Sequence, residues 1–193
     1  DLLTYEETFV NDTLATHYGL TPPGSTEGVW VPYGSSERRG LFSHGSFLSI
    51  GAKFDDTSPV QRGLIIRTRL FCQEIQDPPP DVNADDPIPD DAGPCKKDRY
   101  SVHSQGGCAG CHELMDPIGF AFEHFDPIGQ YRLTDNGYPV DASGELDGVS
   151  FYGAAELGRA LTEHPDLTGC ISRQLYRHGT GHLEPEGDVA AID

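Results

Sequence analysis

The chain has 193 residues, 36% hydrophobic and 23% charged, with 31 acidic against 13 basic side chains and a formal net charge of −18. That length buries a core as one domain or two small ones, and the acidity excludes nucleic acid as a partner, because phosphate would repel it. No run of about 18 apolar residues is present to span a membrane, and neither a basic n-region nor an apolar h-region follows Asp1.

In chain order, Asn11 to Tyr18 reads as a short helix, with Asn11 as N-cap, Leu14, Ala15 and Tyr18 on one face and Gly19 as its left-handed stop. Residues 19 to 57 are rich in Gly, Ser and Pro, and the apolar patch at Phe47, Leu48 and Ile50 is too short for its pattern to separate strand from helical turn. Ser58-Pro59, a cap followed by proline at the first helical position, opens a helix that runs to about Phe71 with Val60, Leu64, Thr68 and Phe71 on one side. Arg62, Arg67 and Arg69 then decorate a solvated face, from which an arginine could still reach an anionic group. From Asp77 to Pro94 the chain carries Pro78-Pro79-Pro80 and six aspartates, a composition for an extended surface strap. Its acidic spacing matches no calcium loop.

Cys108-Ala109-Gly110-Cys111-His112 is the C-x-x-C-H signature by which a c-type haem is attached. Two cysteines at this spacing reach the two vinyl groups through thioether bonds, and the adjacent histidine is placed to ligate the iron. One motif means one covalent haem c. A structural zinc site would need a second cysteine pair, which Cys72, Cys95 and Cys170 do not supply. A thioredoxin-type dithiol would follow a buried strand, whereas Ser104-Gln105-Gly106-Gly107 is a polar turn. Covalent attachment occurs outside the cytoplasm, and three further cysteines fit an oxidising compartment, so the expected location is periplasmic, extracellular or cell-surface, and the chain is expected to be mature or truncated.

The segment from Glu113 to Asp126 is rich in aromatic and aliphatic residues that can wall a haem edge, with Phe120 the candidate for direct contact. Asp135-Asn136-Gly137, within Tyr131 to Val140, signals a hairpin. Near the C-terminus Asp166 caps a helix whose Leu167, Cys170, Ile171 and Leu175 share a face and which ends at Gly179. Among the remaining cysteines, Cys72 with Cys170 is the favoured pair, because both fall on apolar helix faces, and Cys72 with Cys95 is the rival.

The stretch Cys108 to Arg132, C-A-G-C-H-E-L-M-D-P-I-G-F-A-F-E-H-F-D-P-I-G-Q-Y-R, resembles the haem-bearing region of the planctomycete-type cytochrome c proteins, which are large exported multidomain chains. Thr8-Phe9-Val10-Asn11 with His17-Tyr18-Gly19, Thr57-Ser58-Pro59-Val60 with Arg62-Gly63, and Val140 to Glu145 are similar to further segments of that family. The resemblance implies haem binding and a longer parent chain. Arg132, which closes the matching stretch, becomes a candidate partner for a haem propionate, with an ordinary salt bridge as the alternative. His182 stands where the family pattern carries arginine.

The second axial ligand is sought by elimination. Met115 is the only methionine and lies one helical turn past His112, so a second histidine is expected. His103 comes first, because the family carries a histidine just before its attachment site, and His44, flanked by Gly45, comes second. The resulting expectation is a mostly α, c-type cytochrome-like helical module with long irregular loops and a small β-hairpin. It divides into a 1–40 extension or end of a preceding domain, a 41–135 haem domain, and a 136–193 hairpin and helical subdomain. Its expected work is electron transfer to a redox partner, which the acidic surface would steer if the partner is basic. The alternatives are a peroxidase-like haem enzyme with an open sixth position, and a structural or interaction domain that carries haem.

Overall fold

The computed structural model describes residues 2–53, 55–78, 94–185 and 187. The proline- and aspartate-rich strap falls largely outside the described residues.

Strand β1 (Glu7–Val10) pairs antiparallel with β2 (Val29–Pro32), with Phe9 opposite Trp30. Between them, α1 (Asp12–His17) starts where the Asn11 side chain accepts a hydrogen bond from the Leu14 amide, and the chain leaves it through Gly19 at φ +72°. The apolar patch resolves as α2 (Gly45–Ile50). Helix α3 (Pro59–Ile65) is capped by Ser58 as expected and continues into a π-helical turn, Ile66–Leu70.

After the strap come α4 (Lys96–Tyr100), the 3-10 turns Ser101–Ser104 and Gly106–Cys108, and α5 (Ala109–Phe120). The Asn136-Gly137 turn joins β3 (Thr134–Asp135) to β4 (Tyr138–Pro139), with both turn residues at positive φ. An Asp147-Gly148 turn with the same signs joins β5 (Ser143–Leu146) to β6 (Val149–Tyr152). Helices α6 (Gly153–Thr162) and α7 (Pro165–Thr180) complete the described chain. The cap of α7 is His164 rather than Asp166, and its left-handed stop is Gly181 rather than Gly179.

The expected mostly α fold is therefore corrected. Seven helices share the described residues with three two-stranded antiparallel sheets, a mixed α and β architecture. Helix periodicity registers none of these sheets: two are local hairpins, and the third pairs β1 with β2 across α1. In β1 burial alternates, with Thr8 and Val10 inward, and each C-terminal hairpin is set by a two-residue turn.

One apolar cluster joins Leu3, Phe42, Leu48, Ile66, Ile118, Phe122, Leu146, Leu157, Leu161 and Leu167. Helix α5 crosses α3 with backbones nearly touching: a Cβ on Gly63 would lie 1.9 Å from the Met115 carbonyl oxygen, and one on Gly119 1.9 Å from that of Pro59. On its other side β5 approaches as closely, since a Cβ on Gly144 would lie 2.1 Å from the Pro117 oxygen. The helix that carries Cys111 and His112 is thus clamped between α3 and β5. A disulfide links Cys72, just past the π turn, to Cys170 on α7, and Cys95 is free, so the favoured pairing is the one found.

The solvated arginine face is corrected at Arg62 and Arg67, while Arg69 is exposed as expected. Arg62 is 1% exposed and donates to the carbonyls of Leu48, Phe122, Phe125 and Asp126 and to the Glu123 carboxylate at 3.1 Å. Arg67, 3% exposed, grips Asp147 with both terminal nitrogens at 2.8 and 2.9 Å. Both guanidiniums are buried because α3 and the π turn after it are covered by neighbouring segments; the terminal nitrogens of each are met by carboxylate or carbonyl, while the Arg62 Nε is buried without a partner.

Candidate functional site

Cys108 lies at the N-terminal boundary of α5, and Cys111 and His112 lie on its first turn. Spacings of three and four residues put all three on one helix face. Both thiols are free and half-buried. Gly106 and Gly110 face open space, with no atom within 4 Å of where a Cβ would be, so this end of the helix is open.

Asp116, one turn beyond His112, is buried, and His112 Nδ1 donates to it at 3.1 Å. From the preceding 3-10 turn His103 Nδ1 donates to the same carboxylate, also at 3.1 Å. The two imidazoles are in contact, with ring centroids 3.9 Å apart. These three form the one group of potential metal ligands found among the described residues. Asp116 is the site residue that sequence reasoning missed. Its signal was present, because a carboxylate four residues past a helical histidine shares its face.

Tyr100 on α4 stands edge-on to the His103 ring at 5.0 Å and to the Phe120 ring at 5.9 Å. Its hydroxyl is pushed well above the usual phenol value, first by burial and then by the nearby negative charges of Glu123, Asp56 and Asp116, so it stays protonated. Phe120 is buried at the far end of α5, about 12 Å along the axis from His112, and Tyr100 connects it to the histidine pair.

The C-terminal end of α5 is held by buried charge. Lys96, the first residue of α4, contacts Asp56 at 2.5 Å, the Thr57 hydroxyl, and Glu123 at 3.4 Å. Arg132 belongs to the same network: its guanidinium donates to Glu123 at 3.0 Å, to Asp135 at 2.6 Å and to the Glu123 carbonyl at 2.9 Å. All of its donor groups are occupied inside the protein, and it secures the C-terminal end of α5 rather than its open end.

His44 caps α2 beside Arg38 rather than at the histidine pair. Burial first, and then the Arg38 charge, pull its pKa below the ordinary imidazole value. Three other histidines have both ring nitrogens engaged. His17 contacts the Ile128 carbonyl and Gln130, His124 contacts the Arg132 carbonyl and Tyr152, and His164 contacts Asp147 and the Asp166 amide. The structure thus sets Cys108, Cys111 and His112 on the first turn of α5 and His103 against His112, Phe120 reaches the histidine pair only through Tyr100, and the contacts of Arg132 and His44 lie with other residues.

The donor set fits a haem c: two free thiols and an imidazole on one face of an open helix end, with the Nε2 of that imidazole left available by the bond from Nδ1. Among the described residues no helix is long and apolar enough to cross a membrane. A family model described as PSCyt3, protein of unknown function (DUF1588), matches residues 38–135, just over half of the chain and including the whole C-x-x-C-H segment 108–112. No curated protein and no solved structure matches the chain.

Proposed function

Starting from the fact that the chain belongs to the PSCyt3 family of planctomycete cytochrome c-type proteins, we propose that it is a mono-haem c domain whose work is single-electron transfer. The observation that carries this reading is the disposition of the motif, with two free thiols and an oriented imidazole on the first turn of a rigidly clamped helix. Haem c supplies a reversible one-electron couple when bound. Cys108 and Cys111 hold it by thioether bonds, and His112 ligates through Nε2. The half-exposed helix end leaves the site near the surface, where electrons can be exchanged with another protein. The net charge of −18 steers a basic redox partner toward it.

The Cys72–Cys170 disulfide and the cytochrome c-like family fit an oxidising, exported compartment. Within that, we place the protein in the periplasm, outside the cell or on its surface, as the haem-bearing part of a longer chain.

One observation favours a second reading, a haem enzyme with an open sixth position: His103 rests against His112, and His17, His124 and His164 are engaged elsewhere. An optical spectrum separates the two, because six-coordinate low-spin iron belongs to electron transfer and high-spin iron to the enzyme.

Acid-acetone extraction tests the common premise. The protein is expected to retain its haem, and the Cys108→Ala/Cys111→Ala double variant to release it. Release of free haem from the unaltered chain overturns the proposal.

A further inference from the structure

Asp116 is 6% exposed, and its two oxygens are shared between two imidazoles. His112 Nδ1 lies 3.1 and 3.2 Å from Oδ1 and Oδ2, and His103 Nδ1 lies 3.1 Å from Oδ2. An ionised carboxylate only accepts hydrogen bonds, so each contact requires the proton on Nδ1, and in a neutral imidazole that leaves the lone pair on Nε2. A carboxylate behind a metal-bound histidine fixes its tautomer and ring orientation and raises its basicity.

The second imidazole is constrained by the same carboxylate. Rings in contact at 3.9 Å have no space for a macrocycle between them. His103 and His112 therefore cannot lie on opposite faces of one haem while both hold Asp116. His103 is itself braced by Tyr100, whose position is set by α4 and the Lys96 anchor.

We propose that Asp116 and His103 are positioning residues on the proximal side of the haem, Asp116 holding His112 with Nε2 toward the iron and His103 holding Asp116 in place. This rests on the reading of the site as a haem c site. A more basic axial ligand stabilises the oxidised iron, so the Asp116 contact sets the midpoint potential low.

Three measurements test this. In the haem-free chain, nitrogen NMR of the imidazoles should show His112 protonated at Nδ1, and Asp116→Asn should shift the tautomer balance away from Nδ1–H. In the haem-loaded protein, Asp116→Asn should raise the midpoint potential, and Asp116→Glu should restore part of the difference. His103→Ala should raise it by a smaller amount and leave the spin state unchanged.

An Asp116→Asn potential equal to that of the parent overturns the inference. So does a change from low-spin to high-spin iron in His103→Ala, which would make His103 the distal ligand. If Asp116→Asn does not load haem, His103→Ala carries the test alone: a raised potential with unchanged spin supports the inference, and an unchanged potential overturns it. Failure of the parent chain to retain haem on extraction counts against the proposed function instead, and the NMR measurement then decides whether Asp116 orients His112.

Discussion

Asp147 shows how one exposed turn residue is drawn into tertiary structure. It occupies the left-handed position of the β5–β6 turn at φ +49°, receives both terminal nitrogens of the buried Arg67, and takes a third hydrogen bond from His164 Nε2 at 3.1 Å. The Arg67 hydrogen bond is the main reason its carboxyl is held below the ordinary value of 3.8; burial opposes the shift, and His164 assists it. A carboxylate with a lowered folded-state pKa contributes stability above its unfolded value and loses it as the pH falls through the folded one. Asn keeps the left-handed backbone and removes only the charge. Asp147→Asn should therefore lower the melting temperature at pH 7, with the gap to the parent closing as the pH is taken below about 4. Thermal unfolding followed by circular dichroism at both pH values checks this, and a gap that persists undiminished in acid contradicts it.

At the scale of elements, the crossing of α3 and α5 decides where the C-x-x-C-H segment sits. Glycine at 63 and at 119 is required not by a turn but by close approach, because a Cβ at either position would overlap a carbonyl oxygen of the other helix. Relief requires the helices to move apart, and the Phe122 and Ile118 contacts of the core loosen with them. Gly119→Ala should cost about 3 kcal/mol or more, at the upper end of overpacking penalties, despite the better helix propensity of alanine. Urea unfolding measures the cost directly. Gly110→Ala, on the open side of the same helix, is the control and should be neutral or slightly stabilising, since nothing lies within 4 Å.

For the whole molecule, the Cys72–Cys170 bond closes a loop with a sequence separation of 98 and ties the end of the π turn to α7. A loop of this length restricts the unfolded chain by about 4–5 kcal/mol in the chain-entropy account. Replacing both cysteines by serine should lower stability by a comparable amount, read as a fall in denaturant midpoint, and adding reductant to the parent should reproduce it. If the reduced and oxidised proteins unfold together, the bond contributes nothing to this fold. Arg38 performs a related task without covalent chemistry. Fully buried, it donates to carbonyls of Tyr18, Ser43 and Gly129 and stacks on the rings of Tyr18 and Phe125, which fastens the end of α1 to the turn before α2 and to the segment that follows α5.

The features legible in the sequence are those set by neighbouring residues. The Asn11 and Ser58 caps and the Asn136-Gly137 turn each depend on a few adjacent positions, where side-chain reach and the sterics of positive φ dominate. Asp147-Gly148 carries the same local signal, and so does Asp116, four residues past His112. The Cys72–Cys170 pairing was half legible, because apolar helix faces suggested it while the short loop to Cys95 was nearly as plausible; proximity in the fold decided. Only the tertiary structure could bring His103 onto the carboxylate that holds His112, pair β1 with β2 across the α1 segment, and bury Arg62 and Arg67 against partners far along the chain. A charged side chain on a helix reads as solvated until the fold covers it, since its partners are supplied by segments whose approach no local pattern records.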